Sequence, residues 1–107
     1  MIFVESPQFT RVITELMDDD EYRLLQAALL GNPEAGALIV GSGGLRKIRW
    51  SLPGRGKRGG ARMIYYYWTI KSRIYLLYAY SKSAKGDLTR EQIRVLAGLI
   101  RREVQGG

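Results

Sequence analysis

Basic side chains at alternate positions of one short segment are the first groups in the sequence that could do chemistry. The segment Leu45 to Trp50 has the period-two pattern of a β-strand, which places Lys47 and Arg49 on the same face. A guanidinium group can bind two phosphate oxygens at once, and an amine can exchange a proton. Either charge taken alone is typical of a solvated strand surface, whereas several cations meeting on one face would indicate a site for an anion.

The chain contains neither cysteine nor histidine. This composition excludes disulfides, thiolate or imidazole metal sites, and catalysis by a Cys or His side chain. Any reaction must use Lys, Arg, Tyr, Ser, Thr or carboxylates. The consecutive aspartates Asp18 to Asp20 are interpreted as helix-capping residues, and we predict no metal and no cofactor.

The pairing of the predicted strands decides whether the basic residues meet. If a hairpin closes across the glycine-rich loop that follows Trp50, Arg49 lies near Arg62, and the next strand brings Tyr80 and Lys82 to the same sheet end. A shift of one residue would reverse every face. Cations crowded together repel each other, so a bound anion is expected to relieve the repulsion. The candidate site residues are Lys47, Arg49, Arg62, Tyr80 and Lys82.

Charge is divided unevenly along the chain. From Ala35 to Gly86 there are eleven basic residues and no carboxylate, whereas all ten acidic residues lie outside this segment. Such a surface attracts a polyanion such as nucleic acid, or an acidic protein segment; a basic surface that only favours solubility is the alternative. The further cations of this segment that we predict to contact the nucleic acid are Arg46, Arg55, Lys57, Arg58 and Lys85.

Helical patterns occur at both ends of the chain. Apolar periodicity after Ser6 predicts a helix over about residues 8–17, and the acidic run from Asp18 begins a second helix that ends near Gly31. Thr89 and Gln92 have the spacing of a capping box at the start of a third helix. These helices need a sheet against which to bury their apolar faces.

Three β-like segments predict that sheet, and a short β-like segment, Ile2 to Glu5, opens the chain. The three segments are Leu45 to Trp50, Ala61 to Ile70 and Ile74 to Tyr80, which indicate an antiparallel meander. The expected fold class is α+β: two N-terminal helices and a C-terminal helix packed on a small, mainly antiparallel sheet. We expect a single domain over residues 1–107.

Two further observations concern location. No apolar run reaches the roughly 18 residues of a membrane span, and the first residues lack the basic and apolar regions of a signal peptide. A cytoplasmic protein without a membrane partner is therefore expected.

The order of three segments resembles a known family. The segments Leu45 to Trp50, Gly59 to Tyr66 and Ile74 to Lys82, followed by Asp87 to Thr89, resemble the RelE-like toxins of type II toxin–antitoxin systems, the HigB branch in particular. The resemblance implies a RelE-like fold and a ribosome-dependent mRNA endonuclease that acts in the ribosomal A site and inhibits translation. It also implies mRNA on the 70S ribosome as the substrate, and a cognate helix-turn-helix antitoxin (HigA-like) through which the complex binds operator DNA.

The resemblance also assigns residues. It implies that Lys47 and Arg49 are the two basic residues of the family's basic strand and that Arg62 is the arginine opening the next strand. Ser83 stands where family members often have an arginine, and the later tyrosine is missing, so Tyr80 is a possible substitute. Lys47 and Tyr80 are the leading acid–base candidates, because crowding by cations would favour the neutral amine of Lys47.

Two other functions fit the same charge pattern. A non-catalytic basic RNA-binding module, for example one that binds the ribosome, would use the basic segment through counterion release alone. A protein whose basic half docks an acidic partner is the third possibility. Cleavage of messages upon expression would favour the nuclease.

Overall fold

The computed structural model describes residues 1–51, 60–83 and 86–106. Within these ranges the chain forms five strands and three helices: β1 (Ile2–Glu5), α1 (Pro7–Leu16), α2 (Asp19–Gly31), β2 (Ala37–Leu38), β3 (Leu45–Trp50), β4 (Ala61–Trp68), β5 (Arg73–Ser81) and α3 (Arg90–Gly106). No helix in the described ranges is both long enough and apolar enough to cross a membrane.

The strands form one sheet in the order β1-β5-β4-β3-β2. All neighbouring strands are antiparallel except β1, which pairs with β5 in parallel. Arg49 lies opposite Arg62 and Trp50 opposite Ala61, so the predicted register between β3 and β4 is confirmed. The sequence did not predict β2, because two residues are too few to show an alternating pattern.

Helices cover both faces of the sheet. On one face, α1 and α2 bury Phe9, Leu25 and Leu29 against the apolar side chains of the central strands. On the other face, α3 buries Leu96 and Ile100 in a second apolar cluster. Covering both faces explains why β4 and β5 are apolar at nearly every position. The predicted α+β fold class is therefore confirmed.

Side-chain caps fix where α1 begins. The Ser6 hydroxyl accepts a hydrogen bond from the backbone N–H of Phe9 at 3.0 Å and donates to the carbonyl of Leu77 at 2.6 Å. The first bond satisfies an amide that has no partner in the helix, and the second ties the helix start to β5. A single serine therefore sets both the start of α1 and its position on the sheet.

The predicted capping box begins α3. The backbone N–H of Gln92 donates to the Thr89 hydroxyl at 3.1 Å, and the backbone N–H of Thr89 donates to the Gln92 side chain at 2.8 Å. Leu88 and Ile93, on either side of the cap, pack against the apolar cluster beneath α3. The cap therefore fixes the path by which the chain passes from β5 to α3.

We expect Thr89→Ala to lower the free energy of unfolding by about 1 kcal/mol, because it removes the hydroxyl that caps the first turn of α3. Urea denaturation followed by circular dichroism measures the change. Thr14→Ala is the matched control, since the Thr14 hydroxyl bonds only the Arg11 carbonyl within α1, and it should leave stability unchanged or slightly higher. Equal stability of the Thr89 variant and the wild type would contradict the capping role.

Candidate active site

Side chains from three adjacent strands meet on the face that α3 partly covers. Arg49, Arg62 and Tyr80 occupy directly opposed positions on β3, β4 and β5, so they form one row across the sheet. Lys47 lies on the same face of β3, one row further along, where it is opposite Ile64. We call Lys47, Arg49 and Arg62 the cation group.

A β-bulge in β5 brings Tyr80 to this face. Ile64 pairs with Tyr78 and Tyr65 pairs with Leu76, which leaves Leu77 as an extra residue without a partner. The extra residue reverses the alternation, so Leu76 and Ala79 pack on the side of α1 and α2, whereas Leu77 faces the α3 side. Without the bulge, the Tyr80 side chain would project from the other face of the sheet, away from Arg62.

Arg62 is a buried cation. Only 7% of it is exposed, because β4 is flanked by β3 and β5 and has a helix layer on each face. Its guanidinium has no hydrogen-bonding partner among residues 1–51, 60–83 and 86–106, whereas Arg49 beside it is exposed. A buried charge costs free energy unless an opposite charge or hydrogen bonds compensate it. The group is therefore suited to bind an anion that arrives from the side of Arg49.

Asp87 joins the cation group from the loop before α3. Its Oδ1 lies 3.1 Å from Nζ of Lys47, although 77% of the Asp87 side chain is exposed. The hydrogen bond from Lys47, followed by the charges of Lys47, Arg62 and Arg49, lowers the pKa of Asp87 below its ordinary value. The carboxylate is thus ionised, is paired with Lys47 and is stabilised by the charges of all three cations.

Asp87 is a site residue that the sequence did not predict. The expectation of cations alone around Lys47 is wrong, because a carboxylate oxygen of Asp87 lies 3.1 Å from its Nζ. The available signal was that Asp87 is the first acidic residue after the acid-free segment. Asp87 is forty positions from Lys47 in the chain. Predicting their contact therefore requires both the sheet register and the position of the loop before α3.

The hydroxyl of Tyr80 is buried and has no hydrogen-bonding partner in the described part of the chain. Burial raises the pKa of Tyr80, and the nearby charge of Asp87 raises it further, while Arg62 and Arg49 oppose the change. The phenol therefore keeps its proton at neutral pH. It can donate a hydrogen bond, and a buried donor without an acceptor is unfavourable until it finds one.

The other predicted site residues have separate positions. Lys82 follows β5 directly, and its backbone N–H donates to the Gly60 carbonyl at 3.1 Å, so it lies at the same sheet end as Arg62. Arg46 lies on the opposite face of β3 from the cation group, where it is held by Glu34 and Gly36. The remaining predicted RNA contacts, Arg55, Lys57, Arg58 and Lys85, lie outside the described residues.

The contacts of Arg46 give it a structural role. Its guanidinium donates to the carbonyls of Gly36 at 2.8 Å and Glu34 at 3.1 Å, and it pairs with the Glu34 carboxylate at 3.2 Å. Only 16% of the side chain is exposed. Arg46 therefore fastens the segment between α2 and β2 to the sheet, and the structure does not bring it to the site.

Comparison with known proteins identifies the fold. No protein-family model matches the chain. A solved structure of the Escherichia coli toxin RelE, a double arginine-to-alanine mutant in the free state, is similar over 92% of this chain and 95% of that chain, with a TM-score of 0.54 and 15% sequence identity. The chain therefore has a RelE-like fold, as the sequence resemblance implied.

We expect Lys47→Met to raise the pKa of Asp87 towards its ordinary value near 3.8, because the variant removes the hydrogen bond and the nearest positive charge. In the wild type, the pair stabilises the fold fully above that ordinary pKa, and this contribution disappears as the pH falls through the lower pKa of the folded state. NMR titration of the Asp87 carboxyl carbon measures the shift.

The matched control for this titration is Lys71→Met, which removes an exposed lysine from the turn between β4 and β5 at the far end of the sheet. The Asp87 titration should be the same in this variant as in the wild type. A Lys47→Met protein with an unchanged Asp87 titration would show that the ion pair does not form in solution.

Proposed function

We propose that this chain is the toxin of a type II toxin–antitoxin system, of the HigB branch of RelE-like toxins, and that it is an endonuclease that cleaves mRNA in the ribosomal A site. The observation that carries the proposal is the buried side chain of Arg62 beside Arg49 and Lys47 on one face of a RelE-like sheet. Burying a cation costs free energy, and an anionic substrate that offsets this cost best explains the arrangement.

Arginines suit the central step of RNA cleavage. The 2′-hydroxyl of a ribose attacks the adjacent phosphorus, and negative charge develops on the non-bridging oxygens. Arg49 and Arg62 occupy opposed positions on neighbouring strands, so both can donate to the same phosphate. Donors that are fixed before the substrate arrives stabilise this charge most effectively, and the burial of Arg62 fixes its position.

Lys47 and Tyr80 supply protons. Lys47 already donates a hydrogen bond to Asp87, and the raised pKa of Tyr80 keeps its phenol protonated, so both groups can act as donors. The leaving 5′-oxygen requires such a donor. The Tyr80 hydroxyl is buried, so it could donate to the 5′-oxygen only after the substrate reaches it. The Lys47 side chain is partly exposed and is accessible to the substrate without such a change.

Other basic residues would bind the rest of the message. We assign Lys82, at the same sheet end as Arg62, to a catalytic or adjacent phosphate contact. Arg55, Lys57, Arg58 and Lys85 are assigned to RNA contacts on the strength of their positions in the acid-free segment.

Dependence on the ribosome follows from the chemistry of the site. The chain offers no histidine, which is the usual proton carrier at neutral pH. Positioning a substrate for reaction contributes on the order of 7–11 kcal/mol. A ribosome that holds the codon with its 2′-hydroxyl in line with the phosphate could supply this contribution, so free mRNA would be cleaved poorly.

The partners would be those of the family. A cognate helix-turn-helix antitoxin, HigA-like, would neutralise the toxin in the cytoplasm, and the complex would bind operator DNA through the antitoxin. Inhibition could occur by covering Lys47, Arg49 and Arg62, or by docking elsewhere and making the toxin too large for the A site. Protection of these side chains from chemical labelling in the complex would separate the two modes.

We expect Arg62→Ala to reduce translation-dependent mRNA cleavage by about 10²- to 10³-fold, because it removes a preorganised donor to the phosphate. Lys47→Ala should abolish detectable cleavage as well, because it removes a proton donor of the site. Toeprinting on translating ribosomes detects the cuts, and thermal denaturation shows whether each variant is folded. Full activity of either variant would refute its assignment.

Lys71→Ala is the matched control for both substitutions, because it removes the same charge from an exposed turn far from the site. Its cleavage should equal that of the wild type. A wild-type chain that binds ribosomes but leaves messages intact would instead indicate the non-catalytic RNA-binding module.

We expect a reading frame for a small helix-turn-helix protein to lie beside the gene of this chain. Co-expression of that protein should restore growth and intact messages, because it would exclude the toxin from the A site. Growth measurements after induction of the toxin, with and without the second protein, test this. Growth arrest that persists in the presence of the second protein would contradict the assigned antitoxin.

A further inference from the structure

The described site contains many proton donors and needs an acceptor. Arg49 and Arg62 are always protonated, Lys47 donates to Asp87, and Tyr80 keeps its phenolic proton. Attack by a 2′-hydroxyl requires that its proton be taken by a base. None of these four groups is in a form that can accept it at neutral pH.

Asp87 is an acceptor in the right place. An ionised carboxylate has about four lone-pair sites and no donor, so the bond from Lys47 at 3.1 Å leaves it free to accept others. Its 77% exposure leaves the carboxylate within reach of a substrate that approaches from solvent. Its electrostatic contact with Lys47, Arg49 and Arg62 places it beside the groups assigned to the phosphate.

We propose that Asp87 is a catalytic residue of this site, the carboxylate that accepts the proton of the attacking 2′-hydroxyl. This inference rests on the proposed function. It assigns a role to a site residue in the loop that the capping box of α3 holds in place.

The proposed step balances in atoms and charge. The 2′-oxygen forms a bond to phosphorus while its proton passes to the Asp87 carboxylate. The bond between phosphorus and the 5′-oxygen breaks, its electron pair stays on that oxygen, and a proton from Lys47 or Tyr80 neutralises it. The products are a 2′,3′-cyclic phosphate and a 5′-hydroxyl. The proton gained by Asp87 then returns to the donor, directly across the ion pair if the donor is Lys47.

The surroundings of Asp87 determine the pH dependence of this step. Among residues 1–51, 60–83 and 86–106, the charged groups that act on it are Lys47 and Arg49 on β3 and Arg62 on β4, with the Tyr80 phenol on β5. Arg90 begins α3 three residues further along the chain. The cations lower the pKa of Asp87, so it is ionised throughout the neutral range, and the raised pKa of Tyr80 keeps that donor protonated there.

The two possible bases therefore predict different pH profiles. With Asp87 as the base, the single-turnover rate of cleavage on ribosomes should be flat between about pH 6 and pH 8, since base and acid are in their active forms throughout. With the neutral amine of Lys47 as the base, the rate should rise about tenfold per pH unit, because each unit increases the neutral fraction tenfold. The wild-type chain alone decides between them.

A substitution provides the second test. Asp87→Asn should slow single-turnover cleavage by about 10²- to 10⁴-fold. Binding to ribosomes that carry a message with a 2′-deoxy A-site codon should not weaken, because the variant removes a negative charge from a site that binds phosphate. Asp20→Asn is the matched control, since it removes an exposed carboxylate at the start of α2. Its rate should equal that of the wild type.

The outcomes separate this inference from the proposed function. A wild type that leaves messages intact on translating ribosomes overturns the proposed function and this inference with it. A wild type that cleaves, together with an Asp87→Asn protein of similar rate, overturns only the inference. A wild-type rate that rises tenfold per pH unit also overturns it. The pH profile needs no variant, so it decides the matter even if Asp87→Asn fails to fold.

Discussion

The site depends on a positive charge held inside the sheet. Arg62 projects from β4, which lies between β3 and β5 and beneath helices on both faces, and no described residue compensates its guanidinium with a hydrogen bond. A cation in such a position is favourable only if other groups offset its desolvation. Asp87 supplies part of this compensation through its charge, and an anionic substrate would supply the rest. Arg49, which is exposed and lies opposite Arg62 on β3, marks the side from which that substrate can enter.

The distribution of charge follows from this arrangement. The acid-free segment contributes β2 to β5, so no carboxylate on the central strands competes for the arginines. Eight of the ten acidic residues lie on β1, the helices or the segment that follows α2, Asp18 caps the start of α2, and Asp87 lies in the loop before α3. That loop brings a single negative charge to the cation group, where it orients Lys47 without neutralising the site.

Much of the fold could be predicted because its signals are local. The bounds of β3, the caps at Ser6 and Thr89 and the pairing of Arg49 with Arg62 all depend on residue types within a few positions or across one hairpin. The features that were missed depend on distant contacts. Neither the pair between Lys47 and Asp87 nor the tether between Arg46 and the segment after α2 has a periodic pattern, and each forms only after the layers have assembled.

The bulge in β5 makes the geometry of the site depend on the pairing register. Regular pairing of the same residues beyond Tyr65 would bring Ala79 opposite Arg62 and turn Tyr78 and Tyr80 towards the core beneath α1, where two phenolic oxygens would lack water. Loss of the codon for Leu77 would instead remove only the unpaired residue and leave Tyr78 opposite Ile64 and Tyr80 opposite Arg62. In sequence alignments of relatives, a one-residue gap at Leu77 is therefore compatible with the same site geometry.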